Sequence, residues 1–267
     1  MSYWNDHERR VGEFDYSQLD WQIDTIKKAS GTVSLSLGAR QPRWPENHWP
    51  GWAWDLPKIE RTAALLHYVE TVVERYKHEL CIVSYQLENE ALIDGFGEHN
   101  EIDRQRLQTE FKLVKTLDPS RPIIMTTSTS WGIPLRQPIP DIVGFSYYHT
   151  LYRKGGYHRS TFSPLIHRTR KNLINLLHNR PVFIHELQLE PWGPTAIWKM
   201  PNAEQDKSMS VAHIQDNVRL ARKINAPPID LWGGEWWYWR LKQGDPSIWQ
   251  AVLAACSADT TLTVTSS

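Results

Sequence analysis

The chain has 267 residues, with 30 Lys+Arg balanced by 30 Asp+Glu, so its formal net charge is zero. That balance argues against a nucleic-acid footprint, which shows as a basic excess. No apolar run reaches the ~18 residues a membrane span needs, and no charged-then-apolar leader opens the sequence. Two cysteines, Cys81 and Cys256, cannot form a disulfide framework and read as thiols of a reducing, cytoplasmic setting. One large domain over 1–258, followed by a polar tail over 259–267, fits this length.

In chain order, a helix is expected at 18–30 with Ser17 as N-cap, then a strand at 31–38 (GTVSLSLG). A helix at 58–77 has Leu65, Leu66, Val69, Val72 and Val73 on one face. A strand at 81–87 (CIVSYQL) precedes a helix at 103–117 that stops at Asp118-Pro119. Strands at 122–127 and 142–148, a helix at 164–178, a strand at 181–186, a helix at 203–224, a strand at 229–232 and a helix at 246–255 complete the pattern. The strands are short, apolar and rich in branched or aromatic residues, as strands covered on both faces are. Their alternation with helices predicts an α/β fold with a parallel sheet and helical crossovers.

The composition includes 14 Trp. Twelve, all but Trp21 and Trp249, lie at or after the C-terminal end of an expected strand. In a parallel barrel that end carries the active site. Indole planes suit the apolar faces of sugar rings, which makes Trp44, Trp232 and Trp236 stacking candidates; the plainer reading is that they pack loops down.

Two strand ends carry carboxylates, YQLENE at 85–90 and HELQ at 185–188. Glycoside hydrolysis needs two carboxyl groups flanking one bond, one protonated and one ionised. Glu90 is the expected general acid/base and Glu186 the nucleophile. Glu88 competes with Glu90, since a regular strand points both the same way. Asn89 is placed to hold a sugar 2-hydroxyl, although Asn-Glu also caps helices. Alternation along 142–148 puts Gly144, Ser146 and Tyr148 on one face, from which Tyr148 could donate to Glu186 and keep it ionised. His149 and Gln188 are further candidates for binding sugar hydroxyls. His185-Glu186 is no zinc-protease signature, because Leu189 stands where the second His would be needed. The 11 His are scattered, so neither a metal nor an organic cofactor is expected.

These residues resemble the clan of retaining glycosidases with (β/α)8 barrels, which includes family 5 cellulases and family 1 β-glucosidases. The stretches SYWND, RQPRWPENHWPGWA, YQLENE, HELQLEPW and LWGGEWWYW are similar in particular to bacterial cellulase-like proteins. The resemblance implies a TIM-type barrel with Asn89-Glu90 ending strand four, Tyr148 on strand six, Glu186 ending strand seven and Trp232 ending strand eight. It implies a carbohydrate substrate, with β-linked glucosides or oligosaccharides cleaved by double displacement. Counting back, 31–38 becomes strand three, strand two ends at 2–4, and the first βα unit is lacking, together with the Arg the clan usually carries near its nucleophile. An incomplete barrel exposes a strand edge, for which a homo-oligomer is the simplest cover. The alternative function is a non-catalytic carbohydrate-binding or scaffold protein derived from such an enzyme.

Overall fold

The computed structural model describes residues 2–98, 101–129, 132–257 and 262–264. The chain forms two compact units, one of residues 1–127 and 134–143, the other of residues 128–133 and 144–267.

The first unit contains α1 (Trp4–His7), α2 (Ser17–Lys28), β1 (Val33–Leu37), α3 (Gly51–Trp54), α4 (Lys58–Tyr76), β2 (Ile82–Leu87), α5 (Arg104–Leu117), β3 (Ile123–Thr127) and the start of β4 (Ile142–Tyr147). Its strand order is β1-β2-β3-β4, and β1 pairs with β2 in parallel so that Leu37 lies level with Leu87. The apolar stripe of α4 adds Tyr68 and Tyr76 to Leu65, Val69, Val72 and Val73, all buried. Helical spacing puts these side chains on one face, turned to the core. At α5 the Asp103 carboxylate accepts the Arg106 backbone N–H at 2.9 Å, which fixes where the helix begins. At α2, by contrast, Ser17 is the first helical residue and Tyr16 the cap, without a side-chain hydrogen bond.

No strand ends at residues 2–4: Ser2 and Tyr3 lie outside regular structure and Trp4 opens α1. Trp4 is fully buried, stacked on Tyr68 at 5.3 Å and edge-on to Trp52 at 5.6 Å. Below it the Tyr68 hydroxyl lies 2.6 Å from Ser2 Oγ and 2.9 Å from His7 Nδ1, so the buried polar groups satisfy one another. Burial holds the His7 imidazole down at about 4.

The second unit contains the rest of β4, β5 (Thr150–Arg153), β6 (Gly156–Arg159), α6 (Pro164–His178), β7 (Val182–Gln188), a 3-10 turn (Ile197–Lys199), α7 (Asn202–Gln205), α8 (Val211–Ile224), β8 (Ile229–Trp232), α9 (Gly234–Lys242), α10 (Ser247–Ser257) and β9 (Leu262–Val264). Its strand order is β4-β7-β8-β9; β8 pairs in parallel with both β7 and β9. β5 and β6 make an antiparallel hairpin around Lys154-Gly155, both at positive φ, the backbone a tight two-residue turn requires.

Three expectations change here. The helix expected at 203–224 is two helices, because Ser210 and His213 form a reciprocal cap that starts α8 afresh. Part of the expected polar tail, Leu262–Val264, is a strand; 258–261 and 265–267 lie outside the described residues. The stretch after β8 is helix α9. Trp4, Trp52, Trp54, Trp236, Trp237 and Trp239 are thus helical rather than loop residues, while Trp131 lies outside the described residues.

Candidate active site

β2 ends at Leu87, and the chain then leaves the pleat: Glu88 and Glu90 have φ of 46° and 45°. Left-handed backbone costs an L-residue roughly 1–2 kcal/mol, so packing must hold this turn. It also voids the parity that made Glu88 the rival of Glu90. The Glu88 carboxylate is clamped by Arg106, with Oε1 at 2.8 Å and Oε2 at 2.9 Å, and Oε1 accepts the Ala39 N–H at 3.1 Å. Glu110, fully buried, lies 3.2 Å from the same guanidinium. Burial and the adjacent Glu88 charge push the Glu110 carboxyl well above the usual carboxylate range. Glu88 is thereby committed to a buried ion cluster.

Glu90 is 8% exposed, and its backbone N–H donates to Thr126 Oγ1 at 2.8 Å. That hydroxyl lies 3.2 Å from Asn89 Oδ1, which also accepts from Gln86 Nε2 at 3.0 Å. The other end of the Asn89 amide donates to Glu46 Oε2 at 3.1 Å. Arg40 Nε donates to the Asn89 carbonyl at 2.7 Å, and the Asn89 N–H donates to the Arg40 carbonyl at 2.8 Å. Glu46 and Arg40 were not singled out from the sequence; the contact joins residues 43 apart and leaves no local pattern. Trp44 is 64% exposed and packs edge-on to Phe96 at 6.3 Å.

In the second unit all seven residues of β7 are buried. The Tyr148 hydroxyl donates to Glu186 Oε2 at 2.9 Å, and Ser146 Oγ lies 3.4 Å from the same oxygen. The alternation that runs along β4 and on into Tyr148, one residue past its end, therefore puts both hydroxyls on the face expected. A hydrogen bond to a charged acceptor is worth about 1.5–3 kcal/mol, and two donors on one oxygen favour the ionised form. The Tyr148 ring meets Trp192 edge-on at 5.5 Å.

Gln188 is fully buried and spoken for by backbone: Oε1 accepts from the N–H groups of His149 and Thr150 at 2.9 and 3.0 Å, and Nε2 donates to the Thr150 carbonyl at 2.7 Å. It shapes the turn after β4 rather than presenting an amide to ligand. His149 is half-buried, and burial lowers the pKa of its ring. Trp236 is 3% exposed, with its indole N–H donating to Gln205 Oε1 at 2.8 Å, which makes it a packing residue. Trp232, 8% exposed, donates to Glu190 Oε1 at 2.8 Å. Glu190 was missed, although it continues the period-2 series of Glu186 and Gln188. Gly233, at φ 131°, permits this contact: a Cβ there would lie 2.9 Å from Glu190 Cβ and from the Leu189 carbonyl. Among the described residues no group of three or more His, Cys, Asp or Glu could hold a metal ion, and no helix is long and apolar enough to cross a membrane.

No protein-family model and no curated protein matches this sequence. Solved structures do. Xylanase 10C of Cellvibrio japonicus, in complex with xylopentaose, superposes with a TM-score of 0.58 at 17% identity over 85% of this chain and 50% of its own. A GH10 xylanase of Thermobacillus composti gives 0.54 at 15% identity over 82% and 68%, and GH5_18 of Streptomyces cattleya, in complex with GlcNAc, gives 0.53 at 12% over 81% and 57%. The fold is that of the (β/α)8-barrel glycoside hydrolases. Six strands of the barrel type, β1 to β4, β7 and β8, are present among the described residues. The chain spans half the length of the Cellvibrio enzyme.

Proposed function

We propose that the protein is a retaining glycoside hydrolase acting on β-linked glucosides or oligosaccharides. In this reading Glu186 attacks the anomeric carbon while Glu90 protonates the leaving oxygen. Glu90 then takes a proton from water as the glycosyl ester is hydrolysed. Asn89 holds the sugar 2-hydroxyl, and the exposed Trp44 offers a stacking face. No cofactor takes part. The observation that carries the reading is the convergence of the Tyr148 and Ser146 hydroxyls on one oxygen of Glu186. A nucleophile must stay ionised, and these donors favour that form. The glycosidase neighbours support the same chemistry at the level of fold.

The test is turnover of a panel of aryl β-glycosides by wild type and Glu186→Gln. We expect the variant to lose at least a thousandfold in kcat, and the wild type to release product with retained anomeric configuration. Unchanged turnover in the variant removes Glu186 from the nucleophile role. Sugar binding seen by tryptophan fluorescence, with no hydrolysis by wild type, would make the protein a carbohydrate binder instead.

A further inference from the structure

The Asn89 amide is held at both ends, and the holder at its donor end is a carboxyl group with no role so far. Glu46 sits on a short turn between Arg40 and Asn47, which pair as an isolated antiparallel bridge. It is 5% exposed, with Oε2 at 3.1 Å from Asn89 Nδ2 and 4.0 Å from the Arg40 guanidinium. A second segment clamps the turn: Glu98 N–H donates to the Pro45 carbonyl at 3.0 Å, Arg40 donates to the Phe96 carbonyl at 3.0 Å, and Asn47 donates to the Glu98 carbonyl at 2.6 Å. Gly97 lies against Glu46 so closely that a Cβ would come within 2.8 Å of Glu46 Cβ. A carboxyl group buried this deeply and aimed by two segments is costly to keep. Burial, aided by the charge of Glu90 and opposed by Asn89 and Arg40, lifts it to about 7.

We propose that Glu46 is a positioning residue for Asn89: it holds one N–H of the amide and so presents the remaining N–H, in a set direction, to the substrate 2-hydroxyl. The argument is one of hydrogen-bond counting. An amide has two N–H donors and one acceptor oxygen. Asn89 Oδ1 is engaged by Gln86 and Thr126, and one N–H is engaged by Glu46. Without Glu46 the amide keeps its acceptor contacts but gains freedom to rotate. The inference rests on the glycosidase reading for its kinetic consequence, but not for the contact itself.

Two measurements separate these. The first uses protein labelled with 15N-asparagine, with the Asn89 side-chain signal identified by its loss in Asn89→Ser. In wild type this NH2 pair should shift with pH as Glu46 titrates; in Glu46→Gln the shift should vanish, and in Glu46→Leu the pair should move to the position of a solvent-bonded amide. An Asn89 signal that titrates identically in Glu46→Gln overturns the proposal, and this arm stands even if Glu46→Leu does not fold. The second compares kcat/KM on an aryl β-glucoside and on its 2-deoxy analogue. Glu46→Leu should lose about tenfold or more on the first and at most about twofold on the second, while Glu46→Gln, which keeps an acceptor, stays within about threefold of wild type on both. Equal losses on the two substrates overturn the positioning role. If Glu186→Gln leaves turnover intact, the functional reading falls while the amide signals still decide the Glu46 contact.

Discussion

His167→Phe should stabilise the protein, and more so in acid. His167 lies on α6, 1% exposed, its ring stacked on Phe145 at 5.4 Å and edge-on to Tyr147 and Phe162 at 5.1 and 6.0 Å. Neither ring nitrogen has a hydrogen-bond partner among the described residues. Burial, with the like charge of Arg170 beside it, lowers the pKa from 6.5 to about 4. The folded state thus keeps the ring neutral while the unfolded state protonates it, so stability falls as pH drops below 6.5 and continues to fall until about 4. At pH 5 the linkage gives a loss of about 2 kcal/mol, and below pH 3 about 3.4 kcal/mol. Phenylalanine fits the same aromatic slot, does not titrate, and relieves a buried orphan donor worth about 1–3 kcal/mol at any pH. Urea unfolding at pH 7.5 and pH 5 measures both effects. The variant's advantage should grow by about 2 kcal/mol between the two; an advantage that is the same at both pH values would refute the reasoning.

Two further predictions concern the strand ends. Tyr148→Phe keeps the edge contact with Trp192 and deletes the 2.9 Å hydrogen bond to Glu186, so kcat/KM on an aryl β-glycoside should fall about 10- to 100-fold with the melting temperature little changed. Arg106→Leu leaves Glu88 buried without its guanidinium, which should cost about 3–5 kcal/mol in chemical denaturation; pairing it with Glu88→Gln should recover part of the loss.

The parallel strands were legible because each is a short run of branched and aromatic residues, and most boundaries moved by only a residue or two. β8 is found at Ile229–Trp232, as expected. The pairing of Tyr148 with Glu186 was legible too, since period-2 alternation alone places Ser146 and Tyr148 together. What stayed hidden depends on contacts remote in sequence or on local hydrogen bonding. The cap at Ser210 breaks a helix whose apolar periodicity runs straight through it. Glu88 and Glu90 share strand parity, yet the left-handed turn that parts them is held by Arg106 and Thr126, 18 and 36 residues away. The tryptophans misled for a simpler reason. Trp4 and Trp237 are core residues at 0% and 2% exposure, and loop position in sequence does not reveal on which side an indole is buried.

The turn after β2 has a practical consequence. Its left-handed backbone at Glu88 and Glu90 brackets Asn89, and the same few residues carry the Glu88–Arg106 pair. Under the role proposed for Glu90, lengthening or shortening its side chain would work against a fixed base. Alterations that loosen Arg106 or Thr126 would shift Asn89 and Glu90 together, and should therefore appear as a single combined defect.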